Sequence, residues 1–159
     1  EKIPVQDFFI GEGEPLAVIC GPCVIESEEH TLQVARALKK IFANRKLNFI
    51  FKASYDKANR SSIHSFRGPG LEEGLKILQK VKDELGVPVI TDVHSPEEAK
   101  IVGEALGLVQ IPAFLCRQTD LIYAAALSGA VVNVKKGQFM APLDMKNVVE
   151  KAVLQGMGR

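Results

Sequence analysis

Short, almost unbroken apolar runs alternate along this chain with longer stretches in which apolar residues recur every three or four positions. The runs are Leu16–Cys20, Leu47–Phe51, Val87–Val93, Leu108–Ala113 and Ala130–Val134. Their length and continuity predict strands buried on both faces, the habit of parallel sheets covered by helices. Between them, Leu32, Ala35, Leu38, Ile41 and Phe42 predict a first helix, with Ser27 as its N-cap and Glu28 and Glu29 in its first turn. Leu71, Leu75, Leu78, Val81 and Leu85 mark a second, which Gly86 ends. Ser95-Pro96-Glu97-Glu98 combines an N-cap, a proline at the first helical position and a capping-box acid, ahead of a third helix over Ala99–Leu106. A fourth helix is expected over Thr119–Leu127 and a fifth over Asp144–Leu154. Residues 1–15 are polar and glycine-bearing, with Val5–Ile10 as a short strand turning through Gly11-Glu12-Gly13.

Successive strand–helix units argue for a parallel sheet, and the pattern alone permits either a doubly wound sheet or part of a (β/α)8 barrel. A full barrel needs eight units and about 250 residues, whereas this chain has 159. The expectation is therefore one domain over residues 1–159, the N-terminal portion of a TIM-type (β/α)8 barrel: about the first five βα units, preceded by a short strand or hairpin.

Composition narrows the function classes. At 47% hydrophobic and 25% charged residues, the chain has the make-up of an ordinary soluble globular protein. A net charge of +1 argues against a nucleic-acid binder, which would carry a basic face. No apolar run approaches the roughly 20 residues of a membrane helix, and no leader pattern opens the sequence. The expected setting is cytoplasmic, with no membrane partner. Three cysteines fit reduced thiols better than a disulfide framework.

Against that neutral background, the stretch from Phe51 to Gly70 is locally cationic, with Lys52, Lys57, Arg60, His64 and Arg67 facing a single acid, Asp56. Ser54, Asn59, Ser61 and Ser62 add short hydrogen-bonding groups. Lysine supplies a point charge and arginine a planar fork, the two devices that hold phosphates and carboxylates. A solvated loop is the plain alternative, but this one leaves the C-terminal end of a strand, where barrels and open sheets place their ligands. Cys23, Lys52, Asp92, His94, Gln110 and Lys135 all fall at such ends. Cys20-Gly21-Pro22-Cys23 has the spacing of a redox dithiol or half a zinc site. Cys20, however, lies inside an apolar run and reads as a packed residue, and no second cysteine pair or paired histidines complete a zinc site. Cys116 reads as packed, and His30 as a surface residue on a helix.

The stretch Lys52 to Gly70 resembles the signature of the 3-deoxy-D-manno-octulosonate 8-phosphate (KDO8P) synthase family. So do Gly21-Pro22-Cys23-Val24-Ile25-Glu26-Ser27, the segment Gln110 to Asp120, and Asn133 to Phe139. The likeness runs from about Leu16 to the C-terminus and implies a complete barrel in the family, of which this sequence ends near the start of the sixth strand. It implies a transferase that condenses phosphoenolpyruvate with D-arabinose 5-phosphate, giving KDO8P and inorganic phosphate on the way to the lipopolysaccharide sugar KDO. Lys52, Lys57 and Lys135 match phosphoenolpyruvate contacts, with Gln110, Pro112 and Ala113 lining that pocket. Asn59, Arg60 and Ser61 match arabinose 5-phosphate contacts. Lys52, Lys57, Asn59 and Lys135 are thereby the candidate catalytic residues. Arg117 matches an arginine that reaches the sugar phosphate of a neighbouring subunit, implying a homotetramer. Cys23 matches the cysteine ligand of the metal-dependent class, where the metal-independent class has asparagine. A divalent ion (Mn, Fe, Zn or similar) is thus implied, its other ligands lying outside this chain. Two alternatives stand beside this reading: the related 3-deoxy-D-arabino-heptulosonate 7-phosphate (DAHP) synthase, whose basic loop differs from Lys57-Ala58-Asn59-Arg60-Ser61-Ser62, and a non-catalytic half-barrel.

Overall fold

A computed structural model describes residues 2–156 of the chain, with residues 1 and 157–159 outside it. The chain divides into two compact units, Glu1–Ile90 and Thr91–Arg159.

The first unit opens with an antiparallel hairpin of β1 (Lys2–Val5) and β2 (Phe8–Gly11). Here the structure corrects the expected single strand over Val5–Ile10. Val5 pairs with Phe8, so the chain turns at Gln6-Asp7, before the glycines. The polar pair separates two alternating apolar runs, and Gln6 takes the positive φ of 48° that a two-residue hairpin turn demands. The register places Ile3 opposite Ile10 and Val5 opposite Phe8, and Val5 is buried.

β3 (Ala17–Cys20), α1 (Glu28–Phe42), β4 (Asn48–Lys52) and α2 (Leu71–Leu85) follow, and β5 (Val89–Asp92) begins. β3 pairs in parallel with β4, and β4 with β5. Ser27 caps α1 as expected, its Oγ accepting from His30 N at 3.1 Å. Gly86 closes α2 in the left-handed conformation, φ 61° and ψ 29°. Phe49, Ile50 and Phe51 of β4 are buried, and Phe49 stacks on Phe42 of α1 with ring centroids 4.8 Å apart. β3 departs from expectation, since its residues are only partly covered and Leu16 is 69% exposed. Among the described residues β4 is its one pairing strand, so the apolar run is not enclosed on both sides.

The second unit completes β5 and continues through α3 (Pro96–Leu106), β6 (Leu108–Ile111), α4 (Thr119–Leu127), β7 (Val131–Val134) and α5 (Met145–Gly156). β6 stops two residues before the apolar run does. Pro112 has no N–H to donate, and Ala113–Leu115 coil into a 3-10 turn. Ser95 caps α3, its Oγ accepting from Glu98 N at 3.3 Å. The Glu98 carboxylate reaches back one residue further than in a capping box, to His94 N at 2.7 Å. Val93, Ala99, Val102, Leu106, Val109, Ile111, Leu121, Ile122 and Ala125 form the core of this unit. Gly103 is a contact requirement, since a Cβ there would lie 2.1 Å from Ser128 Oγ at the end of α4.

Each parallel strand pairs with the next in sequence, in the order β3-β4-β5-β6-β7. That order decides between the two candidate architectures. A doubly wound sheet reverses its strand order at a switch point, whereas a (β/α) barrel does not. No helix among the described residues is long and apolar enough to cross a membrane.

Candidate active site

In the first unit the candidate residues gather where β4 ends. Pairing continues past the strands: Val24 bridges to Ser54, and Ile25 N donates to Ser54 O at 2.9 Å. This draws the segment after β3 against the segment after β4. Only glycine fits where the two pass, because a Cβ on Gly21 would stand 1.9 Å from Lys52 O. Ser54 is fully buried, and its Oγ accepts from both Lys52 Nζ and Lys57 Nζ at 3.0 Å each. Two ammonium groups are thereby drawn toward one oxygen, an arrangement suited to a doubly charged anion.

Beyond Lys57 the loop folds on itself. Lys57 N donates to Arg67 O at 2.7 Å and Gly70 N to Tyr55 O at 3.0 Å. Arg67 clasps Asp56 with its planar fork, Nε to Oδ1 at 2.8 Å and Nη2 to Oδ2. That hydrogen bond, with the attraction of the carboxylate, pushes the Arg67 guanidinium further above its ordinary pKa. Asn59, Arg60 and Ser61 are exposed on this loop, with Arg60 Nε bonded to Phe66 O at 3.2 Å.

The three cysteines are free thiols: Cys20 half-buried, Cys23 exposed and Cys116 buried. Burial pushes the Cys20 thiol up, opposite to the lowering that activates a redox cysteine. Cys116 packs in the core, as its sequence setting suggested. No group of three His, Cys, Asp or Glu side chains among the described residues is placed to hold a metal. Cys23 is therefore one soft donor at a strand end, able to complete a metal site only with ligands from elsewhere.

In the second unit the strand ends carry Asp92, Gln110 and Asn133 in register across β5, β6 and β7. Asn133 Nδ2 donates to Gln110 Oε1 at 2.8 Å, and Gln110 Nε2 donates to Asp92 Oδ1 at 2.5 Å. Lys135 follows β7, its side chain exposed and its N–H bonded to Ile111 O at 3.0 Å. Pro112 and Ala113 enter the 3-10 turn half-buried. Gly137 packs beside them, where a Cβ would meet Ala113 O at 3.0 Å. Arg117 is exposed at the rim of a cavity of about 410 Å³, lined also by Phe139, Asp144, Asn147 and Lys151. His94 Nδ1 lies 3.3 Å from Glu98 Oε2, which also accepts the His94 N–H.

Of the residues singled out by sequence, Lys52 and Lys57 are brought together, and Gln110 sits inside a hydrogen-bonded row. Asn59, Arg60, Ser61, Arg117 and Lys135 are exposed. The hub role of Ser54 and the row through Asp92 and Asn133 were not anticipated. The faint signal for them was polarity inside or just after otherwise apolar strands.

Parallel strands paired in chain order, with polar and cationic side chains massed where they end, define a chain of the (β/α)-barrel class whose loops suit anionic ligands. The chain belongs to the DAHP synthetase I family, whose profile matches residues 2–158. A 2-dehydro-3-deoxyphosphooctonate aldolase of Protochlamydia amoebophila is 60% identical over 150 residues, covering 94% of this chain and 54% of that protein. Proteins of the same name from Geotalea daltonii and Geobacter sulfurreducens are 58% and 56% identical, over 98% and 99% of this chain and 57% and 58% of their own lengths. The chain thus spans about half the length of the curated relatives it matches.

Proposed function

We propose that the protein carrying this chain condenses phosphoenolpyruvate with D-arabinose 5-phosphate to give KDO8P and inorganic phosphate. KDO8P is the phosphorylated 2-dehydro-3-deoxyoctonate of the relatives' name. The observation that carries the reading is the pair of ammonium groups held on Ser54, Lys52 and Lys57 each at 3.0 Å. A reaction that brings two phosphates and a carboxylate together needs such cationic centres to overcome their mutual repulsion. The heptulosonate alternative is not favoured, since relatives at 56–60% identity bear the octonate name.

In the proposed reaction, C3 of the enol attacks the sugar aldehyde, whose oxygen takes up a proton. Water adds at C2, and the C2–O bond then breaks to release phosphate and leave the ketone. Lys52, Lys57 and Lys135 hold phosphoenolpyruvate, with Gln110, Pro112 and Ala113 beside it. Asn59, Arg60 and Ser61 take the arabinose 5-phosphate, and Arg117 serves a neighbouring subunit of a homotetramer. Cys23 would contribute a thiolate to a divalent ion, which would supply Lewis-acid polarisation of an oxygen of the substrates or of water. The setting is cytoplasmic, in the supply of the lipopolysaccharide sugar. Lys135→Ala in the intact protein is expected to abolish phosphate release from the two substrates. Near-normal turnover in that variant would remove Lys135 from the site.

A further inference from the structure

Asp92, Gln110 and Asn133 occupy equivalent positions on three neighbouring strands, Asp92 in register with Gln110 and Gln110 with Asn133. In-register residues of a parallel sheet face the same side, which lets their side chains form a row across the strands. Asp92 and Gln110 are 6% and 5% exposed and Asn133 is half-buried, so at the Asp92–Gln110 end little water is at hand to substitute for a lost bond. A carboxamide has two ends of opposite character and can flip between them. Here the NH2 end meets Asp92 Oδ1 at 2.5 Å and the carbonyl end meets Asn133 Nδ2 at 2.8 Å.

The three members are not equivalent in what they enforce. Asn133 is itself a carboxamide and can donate or accept, whereas an ionised carboxylate only accepts. Asp92 therefore sets the polarity of the row, and Asn133 completes it. Each end of the Gln110 amide spends one bond on the row. One N–H of Nε2 remains, on the side of the group nearer Asp92, together with one lone pair of Oε1. We propose that Asp92 and Asn133 are positioning residues that hold Gln110 in this orientation, so that its remaining N–H serves the anionic groups of phosphoenolpyruvate. The assignment of that ligand rests on the synthase reading above. In the reversed orientation, Gln110 would present a carbonyl where it now presents a donor, and an acceptor-only anion would be repelled.

The test separates this role from one of merely satisfying buried polar groups. Thermal unfolding, calorimetric phosphoenolpyruvate binding and steady-state turnover are measured for the intact protein, for Asn133→Ala, and for the exchange Asp92→Asn with Asn133→Asp. The exchange moves the acceptor-only member to the other end, so the row re-forms with Gln110 reversed. Asn133→Ala is expected to weaken phosphoenolpyruvate binding about 10-fold, appearing in KM more than in kcat. The exchange is expected to recover the unfolding midpoint without recovering affinity. Unchanged binding in Asn133→Ala, or recovery of both properties by the exchange, would overturn the positioning role while leaving the synthase reading intact. Failure of the unsubstituted protein to bind phosphoenolpyruvate would instead overturn the reading on which it rests.

Discussion

Gly74→Ala sets two opposite effects against each other, and the structure says which wins. Gly74 lies within α2, where alanine is favoured over glycine by about 1 kcal/mol. Its Cα, however, faces Tyr55, the buried residue that follows Ser54. A Cβ at position 74 would lie 2.3 Å from Tyr55 Cβ and 3.2 Å from Tyr55 Cα. Carbon atoms in ordinary contact stand at 3.4–4 Å, so α2 or the Tyr55 backbone must give by about 1 Å. Neither yields cheaply, because Tyr55 O is bonded to Gly70 N at 3.0 Å and Gly68 also packs on it. Overpacking of this kind costs about 1–3 kcal/mol. With the helical gain subtracted, the net loss is up to about 2 kcal/mol, or a fall in unfolding midpoint of up to roughly 8 °C for a chain of this size. Function is expected to suffer more than stability. Tyr55 leads through Asp56 into Lys57, and a displacement of about 1 Å at a reacting centre can cost about 100-fold in rate. Thermal unfolding and phosphate release, measured side by side, decide the matter. A variant that melts higher than the parent and turns over normally would refute the argument from contact.

Ser54→Ala removes the oxygen shared by Lys52 and Lys57. It is expected to weaken phosphoenolpyruvate binding about 10-fold with a much smaller loss of stability, and an unchanged KM for that substrate would dismiss Ser54 as their hub. Thr91→Val replaces a fully buried hydroxyl that has no hydrogen-bond partner among the described residues. An isosteric apolar group there is expected to stabilise the protein by about 1 kcal/mol, whereas a lower unfolding midpoint would show that the hydroxyl is satisfied in the folded protein.

The helices were legible because their signals are local. Thr119–Leu127 emerges with the expected boundaries, Ser27 and Ser95 cap where their positions require, and Gly86 stops α2 in a conformation that suits glycine. The strands were legible as elements but not in their surroundings. Leu16 and Ile19 read as core from their run, yet burial depends on neighbours that the run does not encode. The glycines Gly11 and Gly13 draw the expected turn past its true place, since the alternation on either side of the polar pair Gln6-Asp7 fixes the turn there.

The site divides in the same way. Its cationic loop shows in a one-dimensional count of charge, and Lys52 and Lys57 belong to it. Their meeting on Ser54 depends on the fold of the loop, and the Asp92–Gln110–Asn133 row depends on strand register. Asp92 and Asn133 are 41 positions apart in numbering and acquire a common partner only when β6 is laid between them.

The central claim concerns which sugar phosphate the protein joins to phosphoenolpyruvate. The most direct measurement is the rate of phosphate release by the intact protein, supplied with a divalent metal, with D-arabinose 5-phosphate and with D-erythrose 4-phosphate as the paired substrate. The account predicts kcat/KM higher by orders of magnitude for the five-carbon sugar and KDO8P as the product. Preference for the four-carbon sugar would contradict it and place the chain with the heptulosonate enzymes.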